Sequence, residues 1–199
     1  MKEKNILIIF VKNQEPGKVK TRLAKTRGEE NALKVYRRLV EITLEAAIGA
    51  EADKQVWYSS YADQEDGIDE HYFKKFVQTG RDLGERMSVA FRKVFFNGCK
   101  RAIIIGSDCP DITTELLQEA FSALERYDMV IGPAADGGYY LLGMNRYIPD
   151  IFTDIPWSTH TVLKYTMKKI DEKNLSCYTL PELNDIDTEQ DLKESGLKL

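Results

Sequence analysis

Two carboxylates in a tight turn directly after an apolar run are the residues of this sequence best placed to do chemistry. Asp108 and Asp111 stand in Gly106-Ser-Asp-Cys-Pro-Asp111, behind Ala102-Ile-Ile-Ile105. Such a pair suits a hard Mg2+ or Mn2+ ion that bridges phosphate oxygens. The two acids differ in their downstream neighbours. Asp111 runs into Ile112-Thr-Thr114 and reads as a helix N-cap, which leaves Asp108 as the ligand-facing acid. Cys109 has no His partner nearby in sequence and reads as a bystander rather than a nucleophile.

A polyanionic ligand also needs cations, and the net charge of −4 supplies no general attraction. Lys12, Lys18, Lys20 and Arg22 crowd the stretch Phe10–Leu23, where Gly17 allows close backbone approach to a diphosphate. The stretch is neither a Walker A loop nor a dinucleotide-binding glycine motif, and a solvated basic loop entering a helix is the competing reading. In Gln78–Met87, Asp82 and Glu85 form a capping box, whereas Gln78 could read a base edge and Gly80 could admit a ligand. Asp136 in Gly132–Tyr140 is either an acceptor-orienting base or a turn residue. Near the C-terminus, Asp187 pairs with Gln190 as a capping set, and Asp185, free of that duty, is a candidate second metal ligand. Pro156–His160 would shape an acceptor pocket; His71 has no assignable role.

These loops need rigid elements behind them. Ile6–Val11 and Ala102–Ile105 read as strands covered on both faces, Gln55–Ser60, Lys75–Gln78, Met129–Ile131 and Ser176–Leu180 as further strands. Helical spacing appears over 29–49, from Asp82 to a stop at Gly98, over Leu116–Leu124, from Thr159 to Ile170, and from Thr188. The alternation predicts an α/β fold: a mostly parallel sheet between two helix layers. Tyr139–Met144 lacks a crossover helix before it and is expected to run antiparallel. With 199 residues and no linker, one domain over 1–199 is expected.

Hydrophobic residues at 43% and charged residues at 30% exclude a disordered chain. Ile6–Val11 is too short for a signal-peptide core, and no stretch nears the ~20 apolar residues of a membrane span. Three widely spaced cysteines suit a reducing compartment, so a cytoplasmic enzyme is expected, with neither nucleic acid nor membrane as partner.

Six stretches together resemble the DUF2064 or "transferase 1" group of GT-A-type glycosyltransferase-like proteins. They are Phe10–Leu23, Gln78–Met87, Ile105–Pro110, Gly132–Tyr139, Pro156–Thr159 and Asp185–Leu192. The resemblance implies a three-layer α/β/α sandwich of the nucleotide-diphospho-sugar transferase type, with a mixed seven-stranded-type sheet. It is similar to nucleotidyltransferases that build phospholactate-guanosine or molybdopterin-dinucleotide cofactors. By position it implies phosphate roles for Lys20 and Arg22, a metal role for Asp108, and a second carboxylate from Asp185 or Asp187. The leading expectation is Mg2+- or Mn2+-assisted sugar transfer from a nucleotide diphosphate to a small-molecule acceptor. Nucleotidyl transfer from an NTP with release of pyrophosphate is the close alternative, and a non-catalytic nucleotide-binding module the third.

Overall fold

The structure, a computed structural model, describes residues 4–198; positions 1–3 and 199 of the expected 1–199 domain lie outside the described residues. The first strand, β1 (Asn5–Val11), is apolar throughout its centre, so it needs cover on both faces. Leu7, Ile9 and Val11 enter one core cluster and Ile6 and Ile8 the other, the period-two alternation of a strand. β4 (Arg101–Ile105) splits the same way, Ile103 and Ile105 against Ala102 and Ile104.

The first core cluster joins these strands to α2 (Glu29–Gly49) and α4 (Thr114–Ala123) through Leu33, Tyr36, Val40, Leu117 and Phe121. On the opposite face, α3 (Leu83–Phe96) contributes Met87, Ala90, Phe91 and Val94, and α5 (Val162–Glu172) contributes Ile170. Each buried Leu, Ile, Val, Met or Phe among them stabilises the fold by about 1.5–3 kcal/mol. The result is the expected three-layer α/β/α arrangement. Among the described residues no helix is long and apolar enough to cross a membrane.

With β2 (Asp53–Tyr58), β3 (Phe73–Val77), β5 (Met129–Pro133), β6 (Tyr139–Met144) and β7 (Cys177–Thr179), the strand order is β3-β2-β1-β4-β6-β5-β7. All neighbours pair parallel except β6, which is antiparallel to both β4 and β5. Residues 134–138 are too few for a crossover, so the chain can only double back. That strand runs as its sequence context predicts.

A helix missing from the sequence reading, α1 (Thr21–Arg27), precedes α2. Gly28, at φ 82°, separates the two. A third cluster of Leu23, Ala32, Val35, Leu39, Ile186 and Leu192 clamps α1 and α6 (Glu189–Ser195) onto α2. This small core carries the chain's C-terminal segment to its first loop.

Three capping assignments need correction. Thr113, not Asp111, caps α4, its side chain accepting from Leu116 N at 3.2 Å. Thr188, not Asp187, caps α6, with Asp191 rather than Gln190 completing the capping box. In both cases the threonine one or two positions further on has the extended backbone a cap requires. Asp82 caps α3 as expected, but the Glu85 carboxylate reaches Arg81 N at 2.8 Å instead of the cap residue, so the box is not closed.

Candidate active site

β1 and β4 lie side by side, yet β1 leads to β2 on one side while β4 leads to β6 and β5 on the other. Loops leaving two such strands diverge and open a crevice beyond their carboxyl ends. The loop after Val11 and the loop after Ile105 flank this crevice.

Lys20 occupies its floor. The residue is 5% exposed and adopts a left-handed backbone, φ 47° and ψ 46°, immediately before α1. Its Nζ lies 2.6 Å from Asp108 Oδ1 and 3.2 Å from Asp187 Oδ1. Arg22, largely exposed, reaches Asp187 Oδ2 at 3.9 Å. The Asp191 carboxylate accepts from the backbone N–H groups of Asp187 at 2.9 Å and Thr188 at 2.7 Å, which sets the turn that aims Asp187 at Lys20.

Backbone hydrogen bonds lay the C-terminal segment directly along the other two loops. Ile186 N donates to Asp108 O at 3.0 Å, and Ala135 N to Leu183 O at 3.1 Å. Asp185 is carried into the same corner, where burial and then the charge of Asp108 push its carboxyl up to about 7, with Lys20 opposing and Asp136 and Asp187 adding smaller effects. Four aspartates, Asp108, Asp136, Asp185 and Asp187, are thus electrostatically linked around one buried ammonium.

The remaining candidates divide between crevice and scaffold. Lys12 is exposed at the crevice edge, and its backbone N–H donates to Tyr36 Oη at 2.7 Å. Asp136 is exposed and holds a turn, its Oδ1 accepting from Gly138 N at 2.8 Å. The Gln78 Nε2 donates to Val11 O at 3.3 Å and Trp57 O at 2.8 Å, tying the ends of three strands. Gly80 gives its room to α3, since a Cβ there would lie 2.7 Å from Arg86 N. The Trp157 ring covers Gly84 at the start of α3, and Cys109 is buried, its thiol pushed up to about 12.

Sequence reading missed three scaffold residues. The Tyr36 hydroxyl, at the buried tip of an α2 side chain, also contacts Ser107 Oγ at 3.1 Å and so couples the β1 and β4 loops. Asn13, 4% exposed, accepts from Ser60 N at 3.1 Å and donates to Tyr61 O at 2.9 Å. A tyrosine within an apolar helical stripe was the available signal, because a buried phenol needs a partner.

Residues 43–159 match DUF2064, a family described as uncharacterized protein conserved in bacteria. A protein from Desulfovibrio desulfuricans G20, provisionally assigned as a nucleotide-diphospho-sugar transferase, is 38% identical to this chain. The match covers 96% of this chain and 85% of that one, at a TM-score of 0.89. The chain belongs to the DUF2064 family. More distant structures share the fold with this DUF2064 protein. The inositol-1-phosphate CTP transferase from T. maritima has 12% identity and a TM-score of 0.65, over 97% of this chain and 93% of that one. Rv0371c from Mycobacterium tuberculosis H37Rv, in its manganese complex, has 14% identity and a TM-score of 0.62, over 96% and 97%. Among curated proteins none matches.

The family resemblance implies a divalent ion, and the donor chemistry fits one: carboxylate oxygens are the hard ligands that Mg2+ and Mn2+ take. A ready-made cage of Asp108, Asp185 and Asp187 is nevertheless not what this DUF2064 protein holds. Among the described residues no three acidic, His or Cys side chains stand at chelating distances, and Lys20 sits between Asp108 and Asp187. One or two carboxylates plus substrate phosphates remain a sufficient set for Mg2+. A separate groove of about 640 Å³, between α2 and residues 65–73, lies away from this corner. Its walls carry Glu41, Glu45, Glu65 and Asp69 beside a single Arg37, the wrong balance for a polyphosphate.

Proposed function

We propose that this DUF2064 protein is a single-domain, metal-dependent transferase that takes a nucleotide-diphosphate sugar as donor and a small molecule as acceptor. The observation that supports this reading is the convergence of Lys20, Asp108, Asp185 and Asp187 at the β1/β4 switch point, where folds of this kind receive ligands. Lys12 and Lys20 come from the loop after β1 and Arg22 from the first turn of α1, and together they would flank a bound diphosphate. Arg22 is exposed enough to turn toward phosphate at little cost. Asp108 with Asp185 or Asp187 would hold Mg2+ or Mn2+. When bound, that ion would neutralise charge developing on the leaving diphosphate. Asp136 keeps Oδ1 on its own turn and leaves Oδ2 for an acceptor hydroxyl, as an orienting group or base.

The relative at 38% identity lends the donor class to this reading. The test is a panel of nucleotide sugars and NTPs, with and without Mn2+, followed for released nucleoside diphosphate, pyrophosphate and thermal shift. Release of nucleoside diphosphate only with Mn2+ is the expected outcome. Asp108→Asn should weaken metal–nucleotide binding by at least the ~10–100-fold that loss of a supporting metal-site residue costs. Pyrophosphate from an NTP would assign nucleotidyl transfer instead. Metal-independent binding without turnover would leave a binding module and sink the proposal.

A further inference from the structure

We propose that Lys20 is the resident cation of this carboxylate site. It holds Asp108 and Asp187 together in the metal-free protein, yields Asp108 when a divalent ion binds, and carries its ammonium to the donor diphosphate. The inference rests on the metal–nucleotide reading above and adds to it an exchange between two cations.

The burial pattern is the first support. The Lys20 side chain is 2% exposed, while the carboxylates it bridges are 35% and 48% exposed. The cation is therefore inside and the acids present their outer sides to solvent, the reverse of an incidental surface pair. Charge balance is the second. Asp108 and Asp187 share the one buried ammonium of Lys20, and Arg22 touches only the outer edge of Asp187. Two carboxylates drawing on one buried ammonium keep negative charge for another positive ion.

Geometry then makes the two cations competitors. Asp108 Oδ1 already has an ammonium at 2.6 Å. A metal ligated by the same carboxylate at the usual ~2.0–2.1 Å would stand beside a like charge within the few ångströms where repulsion is strongest. The repulsion favours moving one of them, and the lysine has a flexible stem. Its left-handed backbone, unfavourable for a residue with a Cβ, is retained while the ion pairs hold it. A diphosphate arriving with the metal offers the displaced ammonium a new partner of the same sign as the one it leaves.

The test uses the full chain stripped of metal and titrated with Mn2+ alone, free Mn2+ being read by electron paramagnetic resonance, and then with Mn2+ plus inorganic pyrophosphate. Lys20→Met should bind Mn2+ about tenfold or more tightly than wild type, because a competing charge is gone. It should melt at lower temperature without metal, recover on adding Mn2+, and bind pyrophosphate more weakly in the presence of Mn2+. Lys20→Gly removes the ammonium while relieving the left-handed backbone, so it reads Mn2+ affinity if the Met variant does not fold. Equal or weaker Mn2+ binding by the variants overturns the exchange alone and leaves the metal site standing. Absence of Mn2+ binding in wild type and variants, with or without pyrophosphate, overturns the exchange together with the metal reading.

Discussion

Asp108 and Asp187 share the ammonium of Lys20, and Asp187 is free for it because Thr188 caps the helix beyond. Thr188→Ala should cost about 1 kcal/mol in urea unfolding, the usual loss for a cap. It should also weaken binding at the site, since Thr188 Oγ1 accepts from the backbone N–H of Asp191, whose carboxylate holds the Asp187 turn. Away from the crevice, Asp128 joins the starts of β5 and β7. Arg146 and then the Ser176 backbone N–H, which donates at 2.9 Å, hold its carboxyl below the usual range. A depressed folded value means the contribution is present above the unfolded value near 3.8 and lost as pH falls through the folded one. Urea midpoints of wild type and Asp128→Asn should therefore differ at pH 6 and converge in acid. Similar midpoints at pH 6 would show that the pair contributes nothing.

Among the elements, α1 and α6 matter most to the site although they lie outside the sheet. Leu23 of α1 packs in one small cluster with Ile186, the residue between Asp185 and Asp187. Leu23→Ala should destabilise by about 2–5 kcal/mol, as truncation in a tight core does. It should also reduce metal–nucleotide affinity at temperatures where the chain is still folded. Unchanged affinity in calorimetry would mean that the C-terminal segment is held without this cluster. The β5–β6 turn is equally constrained. Gly137 has φ +88° and a Cβ there would lie 2.0 Å from His160 O. Gly137→Ala should therefore push the Asp136 turn and the segment before α5 apart, lowering the melting temperature and the turnover together.

Across the whole molecule, rigidity and function occupy different regions. The central strands β1, β4, β5 and β6 are buried on both faces, and the loops at one edge carry the candidate chemistry. Hydrogen exchange should be slowest in those strands. A metal–nucleotide complex should add protection over 12–20, 106–113, 134–138 and 183–188 at once. Protection confined to one loop would contradict a shared site. The net charge of −4 also makes local pairing decisive, because an anionic donor meets an overall repulsive molecule and must be drawn by Lys12, Arg22 and the metal.

Much of this was legible in order along the chain. Continuous apolar runs announced strands covered on both sides, the 29–49 stripe announced α2, and the missing crossover announced an antiparallel β6, because burial imposes period on a sequence. Asp108 was also legible as a candidate, from its place just after such a run, and Lys20 from the basic stretch Phe10–Leu23 and the family resemblance. Their contact was not, nor was that of Lys20 with Asp187, since these partners lie far apart along the chain and meet through a small cluster of Leu23, Ile186 and Leu192. Asp111 and Asp187 were misread as caps for a related reason: several neighbouring side chains could cap each helix, and backbone conformation chose among them. Local periodicity specifies elements because each residue meets solvent or core on its own account. A charged site is specified by which distant residues meet, and that depends on how the elements pack.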